Sequence, residues 1–151
     1  MNLKQQIEAD LKKAMLDGNK LEVAVLKGLK NAFLYEEVSQ AKKVSGLSEE
    51  ELTRIIQKEA KKRSESAELY KRGGDEERAN TELQEKTIID RYLPEQLSDV
   101  EIQNLVDEAI EGLGGTDKAN IGGIIAAVKN RAGLSADGAL IAKIAKESLS
   151  R

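Results

Sequence analysis

An all-α chain is what the sequence predicts, and three features predict it. Apolar residues recur at three- and four-residue spacings along nearly every segment, which gathers them on one face of a helix. Phe33, Tyr35, Tyr70 and Tyr92 are the whole aromatic supply, so Leu, Ile, Val and Ala must fill the core. Pro94 is the single proline, whereas β-rich folds are punctuated by Gly/Pro turns.

Taken in order, Leu3, Ile7, Leu11, Ala14 and Met15 predict a first helix, stopped by Asp17-Gly18-Asn19. A second helix is expected from about Lys20 to about Ser39, with Leu21, Val25, Leu26, Leu29, Ala32 and Phe33 inward. The polar stretch Ala41–Gly46 reads as a loop. Ser48-Glu-Glu-Glu51 fits a capping box, in which the Ser hydroxyl and the Glu carboxylate each satisfy an otherwise orphaned amide. The helix it opens carries Leu52, Ile55, Ile56 and Leu69 and should end near Gly73-Gly74. A fourth helix follows with Ala79, Leu83, Ile88 and Ile89, and short turns between such helices imply antiparallel neighbours.

Tyr92-Leu93-Pro94 interrupts the pattern, because proline disfavours helical geometry at the residue before it. Ser98-Asp-Val-Glu101 is a second capping box, followed by the stripe Ile102, Leu105, Val106, Ala109, Ile110 and Leu113. Gly112, Gly114 and Gly115 stop that helix. Asn120 caps a short one containing Ile121, Ile124, Ile125 and Val128. After Ala132-Gly133 a last helix carries Leu140, Ile141, Ile144 and Leu149. The expected organisation is an N-terminal helical domain of about four helices over 1–93 and a C-terminal three-helix domain over 94–151.

The composition excludes several kinds of chemistry. With no cysteine and no histidine, thiolate zinc sites, disulfides and His-based general acid/base pairs are absent. A Ser/Thr–Lys or carboxylate arrangement would remain, but the serines sit at caps, in turns or among charges. The pairs Glu36-Glu37, Glu49-Glu50-Glu51 and Glu76-Glu77 read as solvated charge, since adjacent helical residues do not face one another. Gly112-Leu-Gly-Gly115 lacks the Gly-Lys-Ser/Thr ending of a phosphate loop and reads as a helix stop. No catalytic residue, metal site or cofactor is expected. The N-terminus lacks a signal-peptide core, and no stretch approaches the ~20 apolar residues of a membrane span. A cytoplasmic chain without a membrane partner is the expectation.

The net charge of −3 hides an uneven distribution. Residues 1–93 balance, 94–112 hold six acids and no base, and 113–151 hold six bases against three acids. Two basic sets therefore stand out as contacts for a phosphate backbone. One is Lys58, Lys61, Lys62 and Arg63, with Arg54 beside them, on the third helix. Ion pairing within the helix, Glu50 with Arg54 and Lys61 with Glu65, is the competing reading of that stripe. The other set is Lys129, Arg131, Lys143 and Lys146, with Lys118 nearby.

Leu26-Lys-Gly-Leu-Lys-Asn-Ala32, Lys58-Glu-Ala-Lys-Lys-Arg-Ser64, Tyr92-Leu-Pro-Glu-Gln-Leu-Ser98 and the closing segment Ala136–Glu147 occur in the order seen in YqeY-like proteins. The chain resembles that family along essentially its whole length, and Tyr-Leu-Pro-Glu-Gln-Leu is the most specific stretch. YqeY-like proteins are similar to the tail domain of the B subunit of the tRNA-dependent amidotransferase, a carbon-nitrogen ligase with glutamine as amido donor. The resemblance implies a helical N-terminal part, a three-helix C-terminal part, and a tail that helps hold tRNA while the chemistry lies in domains absent here. It carries over to Lys129, Arg131, Lys143 and Lys146, and secondarily to Lys58, Lys61, Lys62 and Arg63, as tRNA phosphate contacts. Where family members often show Val-Asn and then Val-Lys, this chain has Ile141-Ala142 and Ala145-Lys146, so an amide is missing while the lysine stays.

Three functional expectations follow. The first is a tRNA-binding accessory module without catalytic residues of its own. The second is a helical interaction module docking on an aminoacyl-tRNA synthetase or an amidotransferase subunit, which an uncovered apolar patch on the acidic helix would favour. The third, an enzyme in its own right, lacks both a glutaminase and a phosphate-activating site.

Overall fold

The computed structural model describes residues 2–41 and 46–151. Among them are seven α-helices and no strand. Two compact units, 1–93 and 94–151, each enclose their own core.

The first unit contains α1 (Leu3–Asp17), α2 (Lys20–Ser39), α3 (Glu49–Arg72) and α4 (Glu76–Asp90). Local chemistry starts each of them. The Ser48 hydroxyl accepts from the Glu51 N–H at 3.1 Å, while a Glu51 carboxylate oxygen accepts from the Ser48 N–H at 3.3 Å. Such a cap is worth about 1 kcal/mol. Asn2 and Gln5 make the same reciprocal pair at α1, a box that the serine-based pattern does not reveal. Asn19 and Asp75 cap α2 and α4. Gly18 closes α1 in the left-handed region at φ 70, where a side chain would be strained. Of the loop expected over Ala41–Gly46, residues 42–45 lie outside the described residues.

Ile7, Leu26, Leu29, Phe33, Ile56 and Ile89 are buried at the centre of this unit. Each contributes roughly 1.5–3 kcal/mol by leaving water. α3 and α4 form a long hairpin whose contacts run through Ala60, Ala67 and Ala79, all buried. Small residues let the two backbones approach. Leu69 and Leu83, expected inward, are instead 65% and 36% exposed, because these alanines occupy the seam. A second departure concerns Glu36-Glu37. Glu37 is buried rather than solvated, and its carboxylate accepts from Lys4 Nζ at 2.9 Å.

The second unit holds α5 (Asp99–Gly112), α6 (Ile121–Ala132), a 3-10 turn at Gly133–Ser135, and α7 (Gly138–Leu149). Ser98 and Glu101 form the expected capping box, and Asn120 caps α6 by accepting from the Gly123 N–H at 2.7 Å. Gly114 and Gly115 follow α5 at φ 99 and 95, and the Gly115 N–H donates to the Ile110 carbonyl at 2.9 Å. This is a helix stop, as the glycine pattern predicts. Each α-helix of the unit packs on the other two around Ile102, Val106, Ile124, Val128 and Ile141.

Candidate nucleic-acid interface

The C-terminal bases come from two helices of the second unit. Lys129 and Arg131 sit in the last turn of α6, where cations complement the helix dipole. Lys143 and Lys146 lie three residues apart on α7 and therefore share a face. Burial of Ile141, Ile144, Ala145 and Ser148 turns that face outward. Lys143 and Lys146 are exposed and form no ion pair among the described residues.

Lys129 reaches toward the start of α7. A Cβ added at Gly138 would lie 2.9 Å from its Nζ, so the missing side chain there makes room for the ammonium. Arg131 is held differently: its guanidinium pairs with the Glu108 carboxylate on α5. Lys118 lies in the turn after α5, and a Cβ on Gly114 would stand 3.0 Å from its Cδ. Of the four residues named from the sequence, three present free ammonium groups and one is engaged by an acid. Glu108 is the participant that sequence reasoning misses. It lies 23 residues from Arg131, and no local spacing pairs them.

The α3 set is more compromised. Lys58, Lys61 and Lys62 are exposed, but Lys62 pairs with Glu59 at 3.2 Å. Arg54 pairs with Glu50 at 2.5 Å, as the spacing predicts. Arg63 turns toward α4, with Glu82 at 3.2 Å and Glu85 at 3.1 Å. It belongs to the α3–α4 packing and does not extend the exposed stripe. Its Nε and Glu85 Oε2 are buried without a hydrogen-bond partner. Burial pushes the Glu85 carboxyl above the ordinary carboxylate range, with Arg63 opposing that shift and Glu82 adding to it.

The Tyr92–Ser98 stretch has a structural account. Tyr92 is buried in the first unit, and its hydroxyl donates to Asp10 at 2.6 Å. Burial, and then that hydrogen bond, raise the phenol above its ordinary range. In the second unit, Gln96 Nε2 donates to the carbonyls of Pro94 and Leu134, and the Leu97 N–H donates to the Ser135 carbonyl at 2.8 Å. The motif ties each unit to the residues flanking Pro94.

Among the described residues no group of three or more carboxylates could hold a metal ion. No helix among them is long and apolar enough to cross a membrane. No curated protein matches the chain. The family described as Yqey-like protein matches residues 4–149, a range that reaches into all seven helices, and the chain belongs to the YqeY-like family.

Proposed function

We propose that the chain is a non-catalytic accessory module that binds tRNA through the second unit, with Lys129, Lys143 and Lys146 contacting phosphates. The observation that carries this reading is the polarity of that unit. Exposed acids crowd α5, with Asp99, Glu101, Asp107, Glu108 and Glu111, while α6 and α7 carry the unpaired ammonium groups of Lys129, Lys143 and Lys146 against one exposed acid, Glu147. Cations so disposed attract a polyanion without any basic excess over the whole chain. The resemblance of YqeY-like proteins to the amidotransferase tail supports tRNA as the polyanion. The α3 lysines Lys58, Lys61 and Lys62 form a weaker second patch.

The reading is tested by titrating the chain with total tRNA across salt, alongside a variant with Lys129, Arg131, Lys143 and Lys146 all changed to Ala. Binding that weakens with salt and is lost in the variant supports it. Binding indifferent to salt refutes it. Docking on a synthetase or amidotransferase subunit is the second reading. It gains little from α5, where Ile102, Val106 and Ile110 are buried and Val100 alone stands well out, at 70% exposure.

A further inference from the structure

The outward face of α2 carries a feature that the fold of the chain does not use. Ala24, Gly28, Asn31, Tyr35 and Val38 recur at alternating four- and three-residue spacings, the pattern of a helix–helix seam, and all five are exposed. Tyr35 is 76% exposed, Val38 60%, and the neighbouring Leu34 50%. Gly28 is stranger. It stands in the interior of a helix, where glycine is the worst ordinary residue, yet its φ is not positive and an added Cβ would meet nothing within 4 Å. Nothing among the described residues requires a glycine there. It leaves a notch on the surface.

We infer that this face pairs with the same face of a second copy, antiparallel, about a two-fold axis at Asn31. The stripe is small in its first half and large in its second, so reversal makes it complementary to itself. Val38 of one copy falls on Ala24 of the other, and the Tyr35 ring enters the Gly28 notch. The Asn31 amides meet across the axis, where a buried polar pair fixes register. Ala24 and Lys27 wall a shallow groove of about 450 Å³, backed by Met15 and Val23, which gives the incoming Val38 somewhere to go. The Lys27 stem covers Leu34 of the other copy. The two Lys27 charges stay about 12 Å apart along the axis at 1.5 Å per residue, beyond the ~8 Å Debye length at physiological salt. A symmetric pair is isologous and closes on itself, which caps assembly at two.

The test is sedimentation of the full chain from micromolar to submillimolar concentration, with Gly28→Leu and with Asn31→Cys. Leucine is a better helix former than glycine, so the first variant keeps the fold while filling the notch. The chain has no native cysteine, so Asn31→Cys supplies one thiol per copy, placed to cross-link across the axis. The expected results are a concentration-dependent dimer and rapid covalent dimerisation of Asn31→Cys but not of Glu65→Cys, on the exposed side of α3. Association of Gly28→Leu should be weaker by about ten-fold or more, as for loss of a central aromatic anchor. A monomer throughout the range, equal cross-linking by both cysteine variants, or undiminished dimerisation of Gly28→Leu would each overturn the inference.

Discussion

Glu108→Gln offers a direct test of how the basic face is regulated by its own acids. In the wild-type chain Arg131 is engaged by Glu108, so on the proposed function tRNA would meet three free ammonium groups and one guanidinium that must first be released. Both side chains are well exposed, at 61% and 58%, so the pair contributes only about 0–1 kcal/mol to stability. The variant should therefore melt within a few degrees of wild type. Its effect on RNA is larger. Each phosphate contact contributes roughly 0.9 to the slope of log affinity against log salt, so three contacts give a slope near −2.7 and four near −3.6. One added contact of this kind tightens binding about eight-fold at 0.1 M salt relative to a 1 M reference. Electrophoretic or anisotropy titration of tRNA at several salt concentrations reads both quantities, and Arg131→Gln completes a double-mutant cycle. In the Glu108→Gln background, Arg131→Gln should remove the gain. An unchanged slope and affinity in Glu108→Gln would sink the assignment of Arg131 as a restrained phosphate contact.

Three further outcomes follow from the packing. Glu85 has its folded-state carboxyl raised above its unfolded value by burial, so its contribution favours the fold below the unfolded pKa and is lost as pH rises through the folded one. Glu85→Gln should accordingly unfold at a higher temperature than wild type near pH 7, with the advantage vanishing below about pH 4, near the ordinary value of an unfolded glutamate; a less stable variant at pH 7 contradicts the sign. Tyr92→Phe removes the 2.6 Å hydrogen bond to Asp10 and should cost about 1–2 kcal/mol in urea unfolding, whereas a cost below the error would mean that water replaces it freely. Lys4→Ala leaves the Glu37 carboxylate buried without its cation and should cost about 1–2 kcal/mol, with Glu37→Gln in the same background recovering part of the loss.

The helices and their ends are legible in the amino-acid order because their causes are local. Ser48 and Glu51, Ser98 and Glu101, and Asn120 and Gly123 are each three residues apart, so the capping hydrogen bonds are written into adjacent positions. The α5 stripe and the glycines after it are equally local, and the Tyr-Leu-Pro-Glu-Gln-Leu stretch carries the family. The bases of the candidate interface can also be named from composition, since charge is a property of the residue. Their availability cannot. Arg131 meets Glu108, Arg63 meets Glu82 and Glu85, and Lys4 meets Glu37 across helices. These partners lie 19 or more residues apart, and helix packing alone brings them together. The same cause reverses Leu69 and Ala67: periodicity prefers the larger apolar side chain inward, but packing in the first unit buries Ala67 and leaves Leu69 65% exposed. Local hydrogen bonds and side-chain type decide where the helices run. The depth and rotation of one helix against the next decide which charges remain free to meet a ligand.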